Sequence, residues 1–107
     1  MYTQVASRLY VNTTELGISQ AIPTEVYNRA RVDFTVFSGT LDQVEIWQSN
    51  DLQNWTLLEN WGIGGWAGPN YQSPTPVNPV LSAFIRIHWK CETTACTLAG
   101  GVNLSSQ

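Results

Sequence analysis

Apolar and polar residues alternate along this chain in short runs, and turn-forming residues separate the runs. A period of two sends successive side chains to opposite faces of a strand. Arg29 to Phe37 is the clearest case. Ala30, Val32, Phe34 and Val36 fall on one face, and Arg31, Asp33 and Thr35 on the other. Val5 to Val11 reads as a first strand, closed by Asn12-Thr13-Thr14. Ile85, Ile87, Trp89 and Cys91 alternate with Phe84, Arg86, His88 and Lys90, which places the first set in the core and His88 outward. Cys96 to Ala99 and Val102 to Leu104 predict a last strand, with a bulge at Gly100-Gly101. Glu15 to Thr24 is ambiguous, and Pro23 favours an edge or a bend there. Helical periodicity is nearly absent.

The segment from Leu41 to Asn60 predicts a hairpin. Val44 and Ile46 point one way, Glu45 and Trp47 the other. Ser49-Asn50-Asp51 then supplies side chains that can bond their own backbone and tolerate a tight turn. Strands and turns at this spacing indicate an all-β chain, folded as a single antiparallel β-sandwich over residues 1–107, jelly-roll-like or barrel-like. About seven or eight strands are expected for such a domain.

One stretch departs from the pattern. Trp61 to Pro79 combines Gly62, Gly64, Gly65 and Gly68 with Pro69, Pro74, Pro76 and Pro79, and carries Trp61, Trp66 and Tyr71. It predicts one long loop, and a loop beyond about 12–15 residues in a compact domain is usually functional or disordered. Its aromatic residues argue for order, because each needs a surface to bury against. The exposed contact candidates are Trp47, Trp61, Trp66, Tyr71, Phe37 and Phe84. Trp89 is expected in the core, and Trp55 is expected to pack across the hairpin.

Composition narrows the function classes. Charged residues make up 12% of the 107, about half of the usual ~25%, and Ser, Thr, Asn and Gln replace them. Such a surface suits packing against copies of itself or against neutral glycans. The formal net charge is −3, with 5 Lys and Arg. A nucleic-acid partner needs clustered cations, and an anionic membrane surface does too, so neither is expected. No charged segment followed by an apolar run of roughly 7–15 residues opens the chain. A particle surface or the cytoplasm therefore fits, and the compartment stays open.

Candidate chemistry is sparse. His88, the single histidine, stands between two cations that disfavour its charged form. No nucleophile elbow, phosphate loop or calcium-loop spacing occurs. Two cysteines and one histidine fall short of the four ligands of a structural zinc site. No cofactor, metal or enzymatic activity is expected. Cys91 and Cys96 bracket a four-residue turn and would be near-opposite partners in a last hairpin. A disulfide and a pair of buried thiols both fit that spacing.

The run Ser49-Asn50-Asp51-x-x-Asn54-Trp55-Thr56 resembles a hairpin of discoidin-like (F5/8 type C) sandwich domains, whose pattern is Ser-Asn-Asp-Gly-x-x-Trp after a strand. Phe84-Ile85-Arg86-Ile87-His88-Trp89 is similar to their late strand. The hairpin also resembles one in small sandwich proteins of phage particles, including decoration and tail components. The resemblance implies a sandwich fold and carries over no ligand residue. With the composition, it leads to the expectation of a non-enzymatic structural subunit, self-associating or bound to a larger protein particle of virion, shell or decoration type. The alternative is a carbohydrate-binding module using Trp47, Trp61, Trp66 and Tyr71 as a stacking platform, with Asn50, Asn70 and Gln72 as hydrogen-bonding groups.

Overall fold

The computed structural model describes residues 1–66, 70–72 and 82–106. Nine strands are found among them: β1 (Tyr2–Val11), β2 (Leu16–Ile18), β3 (Ile22–Pro23), β4 (Arg29–Ser38), β5 (Leu41–Ser49), β6 (Thr56–Trp66), β7 (Asn70–Gln72), β8 (Phe84–Lys90) and β9 (Cys96–Ser105). They form two antiparallel sheets, one ordered β1-β9-β4-β7 and the other β2-β8-β5-β6, with β3 also pairing β8. The all-β sandwich expected from the alternation is the architecture observed. The ambiguous stretch 15–24 supplies two short strands, β2 and β3, which raise the count above eight.

The strand order is that of a jelly roll. β1 and β2, β4 and β5, β6 and β7, and β8 and β9 each place one strand in either sheet. The chain therefore crosses between layers again and again, and a double-sheet jelly roll results. The core follows from the alternation. Ala30, Val32, Phe34, Val36, Val44, Ile46, Ile85, Ile87, Trp89, Leu98, Val102 and Leu104 are all buried, and Phe34 meets Trp89 across the sandwich with ring planes tilted by 59° and centroids 5.7 Å apart.

The turn after β8, expected to close a last hairpin, instead carries the chain between sheets, and so does the turn after β4. Ser38-Gly39-Thr40 links β4 to β5, and residues 92–95 link β8 to β9. Gly39 takes φ +75°, and a side chain there would strike the carbonyl oxygen of Ala95, so the two crossings touch. Asp42 is buried beside them. Its carboxylate accepts the backbone N–H of Glu92 (2.6 Å) and of Thr93 (3.1 Å), and the Thr93 hydroxyl (3.3 Å). Cys91 and Cys96 form a disulfide with Cα atoms 6.4 Å apart. They are not partners in a hairpin, because β8 and β9 lie in opposite sheets. The bond staples one layer to the other.

The expected bulge at Gly100-Gly101 falls on the neighbouring strand. β9 runs unbroken, while β1 slips register between Gln4 and Ala6 and again between Ala6 and Leu9, and Arg8 sits at φ 48°. The glycines serve close approach instead. A side chain at Gly100 would enter the Phe34 ring and the Asp33 carbonyl, and one at Gly101 would meet Tyr2 and the Thr3 carbonyl.

The predicted long loop is shorter than its composition suggests. Trp61–Trp66 continues β6 and Asn70–Gln72 forms β7. The remainder of that loop, 67–69 and 73–79, lies outside the described residues.

Candidate functional site

The outer face of the β8-β5-β6 sheet holds the densest group of aromatic and polar side chains. Register places Glu45 opposite His88 on one side and Asn60 on the other, and places Trp47 opposite Arg86 and Leu57. Directly paired residues share a face, so these six stand together. Trp47 lies over His88 with ring centroids 5.1 Å apart and planes 20° from parallel. The Trp47 indole Nε1–H donates to Glu45 Oε1 (3.1 Å), and the Asn60 amide donates to Glu45 Oε2 (2.7 Å). Arg86 donates from Nε to His88 Nε2 (3.0 Å), and its guanidinium lies 4.2 Å from the Trp55 ring centre. The result is a continuous row: Trp55, Arg86, His88, Trp47.

His88 corrects the sequence reading. Alternation puts it on the outer face, yet it is only 5% exposed, because Trp47 covers it. Burial holds its pKa below the usual value. The Arg86 charge adds to that effect, and Glu45 opposes it. The imidazole is therefore neutral at pH 7. Its Nε2 accepts the Arg86 bond, which puts the ring proton on Nδ1, 3.7 Å from Glu45 Oε1.

The 49–55 turn positions Trp55. Ser49 Oγ accepts the N–H of Asp51 (3.2 Å) and of Leu52 (2.9 Å). Asp51 Oδ1 accepts the N–H of Gln53 (2.9 Å) and of Asn54 (2.8 Å), and the Asn54 side-chain amide reaches Oδ2 (2.7 Å). These bonds, the Asn54 N–H foremost, hold the Asp51 carboxyl well below the usual carboxylate range. Asn50 does not bond its own turn. Its side chain accepts the Ala83 N–H (2.9 Å) and so ties the turn to the start of β8. Leu52 occupies the left-handed region at φ 66°. It stands where the discoidin-like pattern has glycine.

The six predicted contact residues do not form one surface. Trp47 is half-buried on the outer face just described. Trp61 is paired with Val44, faces inward and packs against the core. Tyr71 is a buried residue, 5% exposed, and burial raises its pKa. Neither presents an exposed platform. The Trp66 backbone pairs with Leu41 at the end of β6. Phe37 is exposed under the Arg8 guanidinium, 4.0 Å from its ring centre, and Phe84 is half-buried beginning β8. Of the predicted amide groups, Asn70 accepts the Thr35 hydroxyl (3.0 Å) on the other sheet. Trp55, expected to stay within the hairpin, reaches Arg86 on β8. It is the residue that sequence reasoning missed as a surface group.

A second concentration of exposed residues lies on the strands that end the two sheets, β1 in one and β2 in the other. Tyr2 (55% exposed), Leu9 (42%), Tyr10 (60%), Leu16 (51%) and Ile18 (49%) all lie on these two strands; register sets Leu16 and Ile18 beside Lys90 and His88 in one sheet, and Tyr2 and Tyr10 beside Asn103 and Thr97 in the other. These five are half of the ten exposed large apolar residues among those described. The only charge on the two strands is Arg8.

Among the described residues, no three His, Cys, Asp or Glu side chains converge as metal ligands. No protein-family model matches the chain, and no curated protein matches it at a significant level.

Proposed function

We propose that this chain is a non-enzymatic structural subunit that associates with copies of itself or with a larger protein particle through its β1/β2 edge. One observation carries the reading: the concentration of exposed apolar side chains on two edge strands. An edge strand presents unpaired N–H and C=O groups, and proteins usually defend it with charge, proline or short length. β1 has ten residues, and one charge, Arg8, and two register slips are its defences; β2 is defended by its length of three residues alone. Jelly rolls serve as capsid subunits, a fold-level analogy that agrees with this reading without carrying it. The resemblance to phage-particle hairpins points the same way.

Light scattering across a wide concentration range tests the reading. The wild type is expected to grow beyond 11.9 kDa, and a Tyr10→Lys, Leu16→Lys double variant is expected to need at least tenfold more protein to do so. A wild type monomeric throughout removes self-association. Equal association by the double variant removes the edge.

A glycan-binding module is the second reading. Its support moves from the 61–79 segment to Trp47 and Trp55, which share the outer face of the β8-β5-β6 sheet with neutral and charged polar groups.

A further inference from the structure

Arg86 is held in place but left without a counter-charge. Its face rests against Trp55 at 4.2 Å and its Nε is committed to His88. No carboxylate lies within ion-pair distance of it among the described residues; the three pairs found there are Arg31 with Asp33, His88 with Glu45, and Lys90 with Glu92. Glu45, the nearest acid on this face by register, is engaged by Trp47 and Asn60 and approaches the other nitrogen of the His88 ring. The two Nη groups, four N–H donors, thus have no described partner on a half-exposed side chain. A guanidinium fixed in this way has already lost the side-chain freedom that binding would otherwise cost.

We propose that Arg86 anchors a binding site for an acidic sugar, a uronate-type unit whose carboxylate pairs with the Nη edge while its C–H face rests on the flanking indoles. Bidentate carboxylate recognition suits the planar fork of arginine. Trp47 and Trp55 stand on either side of the Arg86–His88 pair, each with one ring face turned to it, and in the proposal the sugar meets their other faces. Neutral His88 is part of the device. It accepts the Arg86 Nε–H, which a protonated ring would not, and so aims the guanidinium. The inference rests on the glycan reading of this face and commits it to a charged ligand.

Tryptophan fluorescence during titration with trigalacturonate, galactotriose and sodium acetate tests it. Trigalacturonate is expected to saturate, with galactotriose and acetate each at least tenfold weaker. Arg86→Gln is expected to lose tenfold or more. Arg86→Lys keeps the charge without the fork and should lose a similar factor. Lys90→Gln removes the same charge two pleats along β8 and should stay within twofold, and circular dichroism checks that each variant is folded. Equal binding of galactotriose would overturn the acidic ligand and leave the glycan reading standing. No binding by either sugar removes both. Equal binding of acetate, or equal losses in the Arg86 and Lys90 variants, would reduce the site to general charge attraction and overturn the proposal.

Discussion

The outer face of the β8-β5-β6 sheet and the β1/β2 edge both expose aromatic side chains, but on opposite terms. On the face, each ring has a partner: Trp47 covers His88, and Trp55 carries Arg86. Glu45 ties the Trp47 indole to Asn60 on the next strand. On the edge, Tyr10 is 60% exposed and its hydroxyl reaches only Asn12, two residues away (3.3 Å). Aromatic exposure alone therefore says little about use. Rings locked to neighbours stabilise the chain and orient polar groups, whereas rings without neighbours contribute little until something covers them.

Single truncations should separate the two regions by the largest margin. Trp47→Ala removes a half-buried ring, its stack and an indole hydrogen bond, and should destabilise the fold by about 2 kcal/mol. It also uncovers His88, so the histidine pKa should rise towards its ordinary value. Tyr10→Ala should cost less than about 0.5 kcal/mol, as exposed surface substitutions usually do. Urea unfolding measures both costs, and the proton resonances of the single histidine report the pKa. Equal costs would erase the distinction between face and edge.

Leu52 offers a smaller effect of opposite sign. It is an exposed apolar residue like those of the edge, yet its backbone sits at φ 66°. A branched side chain in that region is strained by about 1 kcal/mol. Leu52→Gly should relieve most of it and raise stability by up to about 0.5 kcal/mol, after the unfolded chain's gain in freedom is subtracted. Thermal unfolding measures the change. A loss of stability would mean that the Leu52 side chain has a packing role and would place this residue with the engaged rings.

Much of this was legible before any coordinates. Alternation marks which face of a strand is buried, and Ala30 to Val36 and Ile85 to Cys91 obey it. It does not mark which strand lies beside which. The turn at 92–95 therefore reads as the end of a hairpin, although it crosses between sheets, and the Cys91 and Cys96 spacing fits a hairpin that does not exist. The extent of β6 was hidden because Gly62, Gly64 and Gly65 are weak strand formers, and pairing with β5 supplies what local preference lacks. Burial of His88 was hidden for a related reason. Period two makes it an outward residue, and only a large ring from the neighbouring strand removes it from water. The pattern of exposed residues on β1 and β2 was present in the letters, but the edge position that gives it meaning belongs to the topology.

The smallest effect expected is the pH dependence that His88 imposes, and it bears on the face alone. The folded state holds this imidazole below its ordinary pKa, mainly by burial. The unfolded chain, near pH 6.5, therefore takes up the proton first as pH falls. The folded state's advantage is fully present above about pH 6.5 and is lost as pH descends from there through the folded pKa. Carboxylates titrate lower and superimpose their own loss, so the informative quantity is a difference. Urea unfolding of wild type and His88→Gln at pH 7.5, 6.5 and 5.5 should show the wild type losing more stability over that interval. A Tyr10→Ala control should track the wild type, because the edge has no titrating group near the histidine. Parallel curves for wild type and His88→Gln would mean that His88 can charge beneath Trp47 at no cost, and the face would then be as loosely held as the edge.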